Sequence, residues 1–265
     1  MAIITLISDL GKEDHYLASV KGAIFTGAPD ARVVDISHTI RPFDIYEASF
    51  VLKSCYSHFP EGTIHVVSVN DVLTESHDHV VLKYDGHYFI GADNGVFSIL
   101  MEKRDVEIFS LNVPLEFDFE TFPLRNRFVT AACHLARGGT PEVIGKRVKE
   151  MMGAELFKPL LEPNVIRGQV IYVDGYENVI TNITEQTFRD IKKGRDFRIN
   201  LVRSQEVIKK IVTSYADVAP GRALAIFGGA NLLEIAISKG APRMGGGAHS
   251  LLGLRINDTV RIEFE

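Results

Sequence analysis

The feature that most restricts the fold of this chain is its opening stretch, residues 3–22, IITLISDLGKEDHYLASVKG. A run of β-branched and apolar residues from Ile3 to Ile7 is long enough for one buried strand. Ser8, Asp9, Leu10 and Gly11 stop that strand and turn the chain. Asp14, His15 and Tyr16 then lead into a helix whose apolar face takes Val20, Ile24 and Phe25. Strand, acidic turn and helix in this order make the first unit of an open α/β sheet, where ligands sit beyond the carboxyl ends of the strands. Asp9 stands at that edge. The turn has no GxGxxG, so it is not the phosphate-cradling kind. An aspartate there has two readings. It receives the hydroxyls of a neutral or cationic ligand, a ribose for example, or it caps the start of the helix.

The alternation continues. Ala31–Ser37 predicts a second strand ending at His38, and Pro42-Phe43 marks a turn. Asp44–His58 carries Ile45, Ala48, Val51, Leu52 and Cys55 at helical spacing, and Phe59-Pro60-Glu61-Gly62 breaks that helix. Thr63–Val69 predicts a third strand, ending at Asn70-Asp71. Val80–Tyr84 and His87–Gly91 flank Asp85-Gly86, a strong hairpin signal. After the turn Asp93-Asn94-Gly95 a short helix runs to about Lys103, Glu107–Leu111 predicts another strand, and Phe128–Arg137 a helix stopped by Gly138-Gly139. Over residues 1–158 this predicts an α/β domain with a mostly parallel sheet covered on both faces. Asp9, His38, Asn70-Asp71 and Asp93-Asn94 then share one sheet edge. Each alone is an ordinary turn former, but together they outline a polar cleft.

The texture changes near residue 155. Pro159 and Pro163 punctuate a polar connection that reads as a linker. From there the segments are short and β-rich: Gln169–Val173, Val179–Ile183, Phe197–Val202, Ala223–Phe227, Leu232–Ile237 and Val260–Phe264. Residues 166–265 are therefore expected to form a smaller antiparallel β-barrel. Between its first two strands lies Asp174-Gly175-Tyr176-Glu177-Asn178, and Thr181-Asn182 puts two hydrogen-bonding residues into an otherwise apolar strand. Gly240–Gly247 lacks a P-loop lysine and reads as a mobile loop.

Composition excludes several classes. The net charge is −5, without the basic stripe of a nucleic-acid binder. No apolar run approaches the ~20 residues that span a bilayer, the N-terminus has no basic n-region, and Ile3–Ile7 is too short for a signal-peptide core. The two cysteines, Cys55 and Cys133, lie in no metal-ligand spacing. A cytoplasmic protein with free thiols is expected, with no metal and no nucleic-acid or membrane partner.

Five motifs occur in one order: SDLG with Asp14 five residues after Asp9, VVDISH, FPEGT, DNG, and the run from Asp174 through Tyr176 and Asn178 to Thr181-Asn182-Ile183. In this the chain resembles the S-adenosylmethionine hydrolase and fluorinase/chlorinase family, the hydroxide adenosyltransferases, over nearly its whole length. The resemblance implies a seven-stranded α/β domain followed by a β-barrel. It also implies a homotrimer with ligand sites between subunits, and S-adenosylmethionine as substrate without a separate cofactor. By the same resemblance Asp9 holds the ribose hydroxyls, Asp174 faces the amino-acid ammonium and Asn178 reads the adenine edge. Phe43, Phe122, Tyr176 and Tyr215 place aromatic rings around adenine, ribose and sulfur, and Asp14 belongs to the same binding set. The implied reaction is attack of water on the 5′ carbon, releasing adenosine and methionine.

The departures fall on the water-activating residues. Where water-using members carry an aspartate and then an arginine in a VDPGVGT-x-R loop, this chain reads Val69-Asn70-Asp71-Val72-Leu73-Thr74-Glu75-Ser76-His77. Asn70 takes the aspartate position and no arginine follows. Where they carry FHGRD, this chain reads Phe122-Pro123-Leu124-Arg125-Asn126, so Pro123 replaces the histidine. Leu124 takes the place where halogenases put a small residue against the halide. Asn70 and Asp71 are the catalytic candidates, with Asp71 replacing the lost carboxylate through a one-residue shift. His77 and His79 are the candidate stand-ins for the arginine. The competing expectation is a protein that binds the adenosyl ligand without hydrolysing it or that uses another nucleophile.

Overall fold

The computed structural model describes residues 1–74, 78–101, 105–113, 121–155, 157–241 and 246–265. The chain divides into two units, Met1–Leu156 and Phe157–Glu265. The first contains β1 (Ile3–Ser8), α1 (His15–Gly27), β2 (Arg32–Ser37), α2 (Ile45–Lys53), β3 (Ile64–Ser68), β4 (His79–Tyr84), β5 (His87–Ala92), α3 (Val96–Leu100), β6 (Glu107–Leu111), α4 (Val129–Ala136), α5 (Pro141–Ile144) and β7 (Gly145–Val148). Its strands form one seven-stranded sheet in the order β2-β1-β3-β5-β4-β6-β7.

Half of that sheet is parallel and half is not. The pairs β1–β2, β1–β3 and β3–β5 are parallel, whereas β4–β5, β4–β6 and β6–β7 are antiparallel. The sheet is thus mixed rather than mostly parallel. The cause is the hairpin at Asp85-Gly86, whose residues both have positive φ (50° and 76°) and send β5 straight back along β4. Strands β6 and β7 continue outward from β4. In the parallel half β2 lies on one side of β1 and β3 on the other, which opens a crevice at the carboxyl ends of β1 and β3.

Both faces of the sheet are covered. Val20 and Ile24 of α1 and Ala131 and Ala132 of α4 pack with Leu6 and Val66 on one face. Ala48 and Leu52 of α2 and Phe97 of α3 pack with Ile7 and Val67 on the other. Adjacent apolar residues of one strand serve opposite faces, as the two-residue pleat requires. Phe25, assigned to the apolar face of α1, instead points to solvent with 55% of its surface exposed. The helix predicted over Asp44–His58 ends at Lys53. There the Cys55 N–H bonds to Leu52 O three residues back, and a 3₁₀ turn follows at Tyr56–His58. The helix expected to reach Lys103 is α3, which ends at Leu100; residues 102–104 lie outside the described residues. Before α4 the chain is already helical, as a π-helical stretch Leu124–Phe128 entered through Pro123.

The second unit contains β8 (Leu160–Glu162), β9 (Val165–Val173), β10 (Val179–Thr184), α6 (Glu185–Lys192), β11 (Phe197–Leu201), β12 (Val207–Ile208), β13 (Ile211–Val212), β14 (Ala223–Phe227), β15 (Leu232–Ile237), α7 (Ala248–Leu252) and β16 (Thr259–Phe264). The sheet order is β12-β11-β16-β9-β10-β15-β14-β13, with β8 added beside β9. All pairings are antiparallel except β13–β14. Strand β9 pairs with β16 and β8 along its first half and with β10 along its second, so the sheet curls into a near-barrel around Ile166, Ile199, Ile235 and Ile262.

The β9–β10 ladder slips between Ile180 and Thr181 and the β10–β15 ladder between Ile180 and Thr184, and the polar pair noted in the sequence bonds across one on each side. Thr181 Oγ1 donates to Leu233 O, and Asn182 Oδ1 accepts the Gln169 N–H. Gly168 sits against this bulge, where a Cβ would come within 2.4 Å of Ile183 Cγ1. Thr181 and Asn182 therefore serve the fold. The stretch read as a linker contains β8, and Pro163-Asn164 turns it back onto β9. Helix α6, not expected from the β-rich texture, starts under a Thr184 cap on the Thr187 N–H and puts Phe188 into the barrel core. Within Gly240–Gly247, residues 242–245 lie outside the described residues.

Candidate functional site

The four polar strand ends named in the sequence do share one edge. Asp9 follows β1, His38 follows β2, Asn70-Asp71 follows β3 and Asp93-Asn94 follows β5, and these four strands are neighbours and parallel. Asp9 does not cap α1. The residue before that helix is Asp14, whose own side chain makes no capping bond. The Asp9 carboxylate instead crosses to the next loop, where Oδ2 accepts the Phe43 N–H at 2.9 Å. Phe43 has φ 65°, a left-handed conformation that costs a non-glycine residue about 1–3 kcal/mol and concentrates at functional sites. Asp9 helps to hold it there. So does Arg41, which ties the loop down through Glu47 at 2.6 Å and Asp44 at 2.7 Å. Phe43 is 69% exposed, so its ring fills no core.

Asn70 and Asp71 close the other side. Ser8 and Ser68 are register partners at the ends of β1 and β3, so the two acidic turns leave the sheet side by side. Asn70 takes φ 51° and is exposed, and Asn94 Nδ2 donates to the carbonyls of both Val69 and Asn70 at 2.9 Å. Asp71 turns inward, and its Oδ2 accepts the Ser68 hydroxyl at 2.6 Å. Burial pushes its carboxyl above the usual aspartate value, and the charge of Asp9 adds to that. Ser68 and His79 pull the other way. His79 bonds through Nε2 to Asp71 O at 2.9 Å. Burial holds its pKa low, so it is neutral and does not replace an arginine's charge. His77 lies outside the described residues.

Phe122 is half-buried, edge-on to Tyr16 at 5.3 Å and beneath the Arg125 guanidinium at 5.6 Å. His15 stacks on Tyr16, which makes an aromatic wall at the start of α1 beside Asp14. Leu124 is buried in the core formed with α1 and α4, so its side chain fills that core. Among the described residues no group of three or more His, Cys, Asp or Glu side chains is arranged to hold a metal.

The second unit gathers the remaining candidates at one end. Asp174 organises its own loop: Oδ1 accepts the N–H groups of Tyr176 and Asn178 at 2.8 Å, and Oδ2 accepts Asn178 Nδ2 at 3.0 Å. With Nδ2 held, Asn178 keeps Oδ1 as the free end of its amide. Tyr176 projects outward, 71% exposed. Tyr215 is tethered to the same neighbourhood, since its hydroxyl donates to Glu234 Oε1 at 2.6 Å. Burial and then Asp174's charge raise the Glu234 carboxyl, while Tyr215 opposes them. Burial and Glu234 raise the Tyr215 phenol in turn.

Sequence reasoning did not single out Ser68 or Glu234. A signal existed for Glu234, a lone charge in the apolar strand LLEIAI. Ser68 carried only a weak one, a hydroxyl three residues before Asp71.

Comparison with known proteins agrees in both halves. Residues 4–145 match the SAM hydroxide adenosyltransferase N-terminal domain, and residues 168–261 match its C-terminal domain. A (R)-S-adenosyl-L-methionine hydrolase of Thermus thermophilus is 28% identical over 99% of this chain and 100% of its own length. One of Methanocaldococcus jannaschii is 28% identical over 79% and 77%, and a fluorinase of Nocardia brasiliensis is 27% identical over 75% and 77%. Among solved structures, an uncharacterized conserved protein from Thermotoga maritima superposes with a TM-score of 0.87 at 28% identity, covering 98% of this chain and 99% of that one.

Proposed function

The chain belongs to the SAM hydroxide adenosyltransferase family, and from that premise we propose that it hydrolyses S-adenosylmethionine to adenosine and methionine. The observation that carries this reading is the pairing of Asp9 and Asp71 at the ends of β1 and β3, one carboxylate bonded to the Phe43 N–H through Oδ2 with Oδ1 left for hydroxyls, and the other set to take a proton. Asp9 accepts both hydroxyls of the ribose. Water attacks the 5′ carbon, the bond from that carbon to the sulfonium breaks, and its electron pair neutralises the sulfur of departing methionine. Asp71 orients the water and takes the proton it sheds, with Ser68 holding the carboxylate in place. Asn70, in the position of the family's aspartate, contributes its backbone turn and an amide at the crevice mouth. Phe43 and Phe122 exclude solvent from the sugar and sulfur.

Asp174, Tyr176, Asn178 and Tyr215 bind the amino-acid and adenine ends, and Asp14 supports the sugar side. As the family resemblance implies, we place the working site in a homotrimer, with each ligand enclosed by residues of two subunits. The substrate is the only adenosyl group required, so no separate cofactor is invoked. No helix among the described residues is long and apolar enough to cross a membrane.

The test is direct. Purified protein incubated with S-adenosylmethionine should release adenosine and methionine in equal amounts, followed by chromatography. A rate no higher than buffer would refute hydrolysis. It would favour the second reading, a protein that binds the adenosyl ligand without turning it over or with another nucleophile. The observation behind that reading is the pair of replacements, Asn70 for aspartate and Pro123 for histidine.

A further inference from the structure

A chain of polar side chains, buried at Ser8 and His38, adjoins the Asp9 turn, and the proposed chemistry does not use it. His38 is 1% exposed at the end of β2. Its Nδ1 is 2.7 Å from Ser8 Oγ, the residue before Asp9. Its Nε2 approaches Asp35 Oδ1 at 3.2 Å, off the line of a good hydrogen bond, and Lys21 Nζ holds Asp35 at 2.6 Å. A carboxylate can only accept, so the imidazole proton sits on Nε2 and Nδ1 accepts from Ser8. The His38 carbonyl accepts the Gly11 N–H at 2.8 Å, and Gly11 stands at φ 77°, where a side chain would be strained. One residue therefore bonds the Asp9 turn on both sides, at Ser8 through its ring and at Gly11 through its backbone. Ser8, His38 and Asp35 have the order of a charge relay, but Ser8 is 1% exposed and cannot reach a substrate as a nucleophile.

We propose that His38 is the positioning residue of the sugar-binding turn: through Ser8 and Gly11 it sets the angle at which the Asp9 carboxylate meets a vicinal diol. His38 also opens the loop that carries Phe43, whose N–H is bonded to Asp9. The carboxylate and the aromatic cover are thus referred to one buried ring. Burial holds the His38 pKa below the ordinary histidine value, against the pull of Asp35, so the ring is neutral and can keep accepting from Ser8. The inference rests on the reading of Asp9 as the ribose-binding group.

The experiment compares binding of adenosine and 2′-deoxyadenosine to the full chain by calorimetry, in wild type, Ser8→Ala, His38→Gln and His38→Asn. Loss of one hydrogen bond to a well-placed carboxylate should make the wild type prefer adenosine by about tenfold or more. Ser8→Ala and His38→Gln should bring that preference within about threefold, because the carboxylate no longer points at the missing hydroxyl. His38→Asn, whose Oδ1 can stand in for Nδ1, should keep most of it. A general loss of packing would weaken both ligands equally and leave the ratio unchanged. A preference that persists undiminished in Ser8→Ala and His38→Gln overturns the role of His38 alone. A wild type with no preference overturns the Asp9 reading, and the proposal falls with it. Ser8→Ala removes a single oxygen, so the test stands even if a His38 variant fails to fold.

Discussion

Acid should weaken this protein through His65, and by an amount that can be worked out. His65 lies near the start of β3, 0% exposed. Its Nδ1 is 2.7 Å from Thr5 Oγ1 and its Nε2 is 3.3 Å from His87 Nδ1. The rings of Tyr56, Phe59 and Phe89 enclose it. No carboxylate among the described residues bonds the ring. Asp85 and Glu61 act on His87, whose pKa burial also lowers. Burial, and secondarily the charge of His87, push His65 down to about 3. In the unfolded chain it titrates near 6.5. Between those values the unfolded state binds the proton and the folded state does not. Stability is therefore intact above about pH 6.5 and falls as pH drops through the window toward about 3. At about 1.4 kcal/mol per pH unit, lowering the pH from 6.5 to 5 costs about 2 kcal/mol from this ring alone. In His65→Gln the baseline stability should drop by about 1–3 kcal/mol for lost hydrogen bonds. The acid-dependent loss should shrink by about 2 kcal/mol relative to wild type. Urea unfolding followed by circular dichroism at pH 7 and pH 5 measures both. If wild type and variant lose the same stability on acidification, the reasoning is refuted.

Asp71→Asn should cut kcat about 10²–10⁴-fold with little change in KM, because it removes a proton acceptor rather than a binding group. The wild-type rate should decline on the acid side as the raised Asp71 carboxyl protonates, whereas the residual rate of the variant should be flat there. Phe43→Gly should relieve the left-handed strain and leave folding stability equal or up to about 1 kcal/mol higher. Affinity for adenosine should nevertheless fall, and calorimetry and thermal melting read the two opposite effects. Gly168→Ala should destabilise the second unit by about 1–3 kcal/mol, since the new methyl overlaps Ile183 and Asn182, and a thermal melt reports it.

The parts legible in the sequence were those set by local pattern. The runs at Glu107–Leu111, Ala223–Phe227 and Leu232–Ile237 agree with β6, β14 and β15 residue for residue, because period and turn residues fix them locally. The direction of pairing is a different matter. Asp85-Gly86 announced a hairpin, yet its consequence, three antiparallel pairings on one side of the sheet, depends on where β6 and β7 dock. Thr181 and Asn182 stood out as two hydrogen-bonding residues in an otherwise apolar strand, and such a pair needs partners. The partners proved to be Leu233 and Gln169 across a bulge, which only the three-dimensional register shows. Glu234 was the converse case, a charge in an apolar strand whose neighbours Tyr215 and Asp174 are distant in sequence.

The replacement of the family's loop aspartate by Asn70 looks fatal to proton transfer when the chain is compared position by position. Within a strand, moving a carboxylate by one residue would indeed carry it to the other face of the sheet. Asn70 lies beyond the end of β3, though, and its backbone has left the pleat for φ 51°, a conformation that asparagine tolerates unusually well. That turn aims Asn70 outward and brings the next side chain back over the strand end, where Ser68 meets it at 2.6 Å. On the mechanism proposed above, the turn at Asn70 is what sets Asp71 in place. Substituting Asn70 by a β-branched residue should therefore harm the rate through Asp71. Asn70→Val should lower kcat by a factor comparable to Asp71→Asn, and the double variant should be no slower than either alone. A double variant whose losses multiply would show that the two residues act separately and that the loop has not shifted its acid.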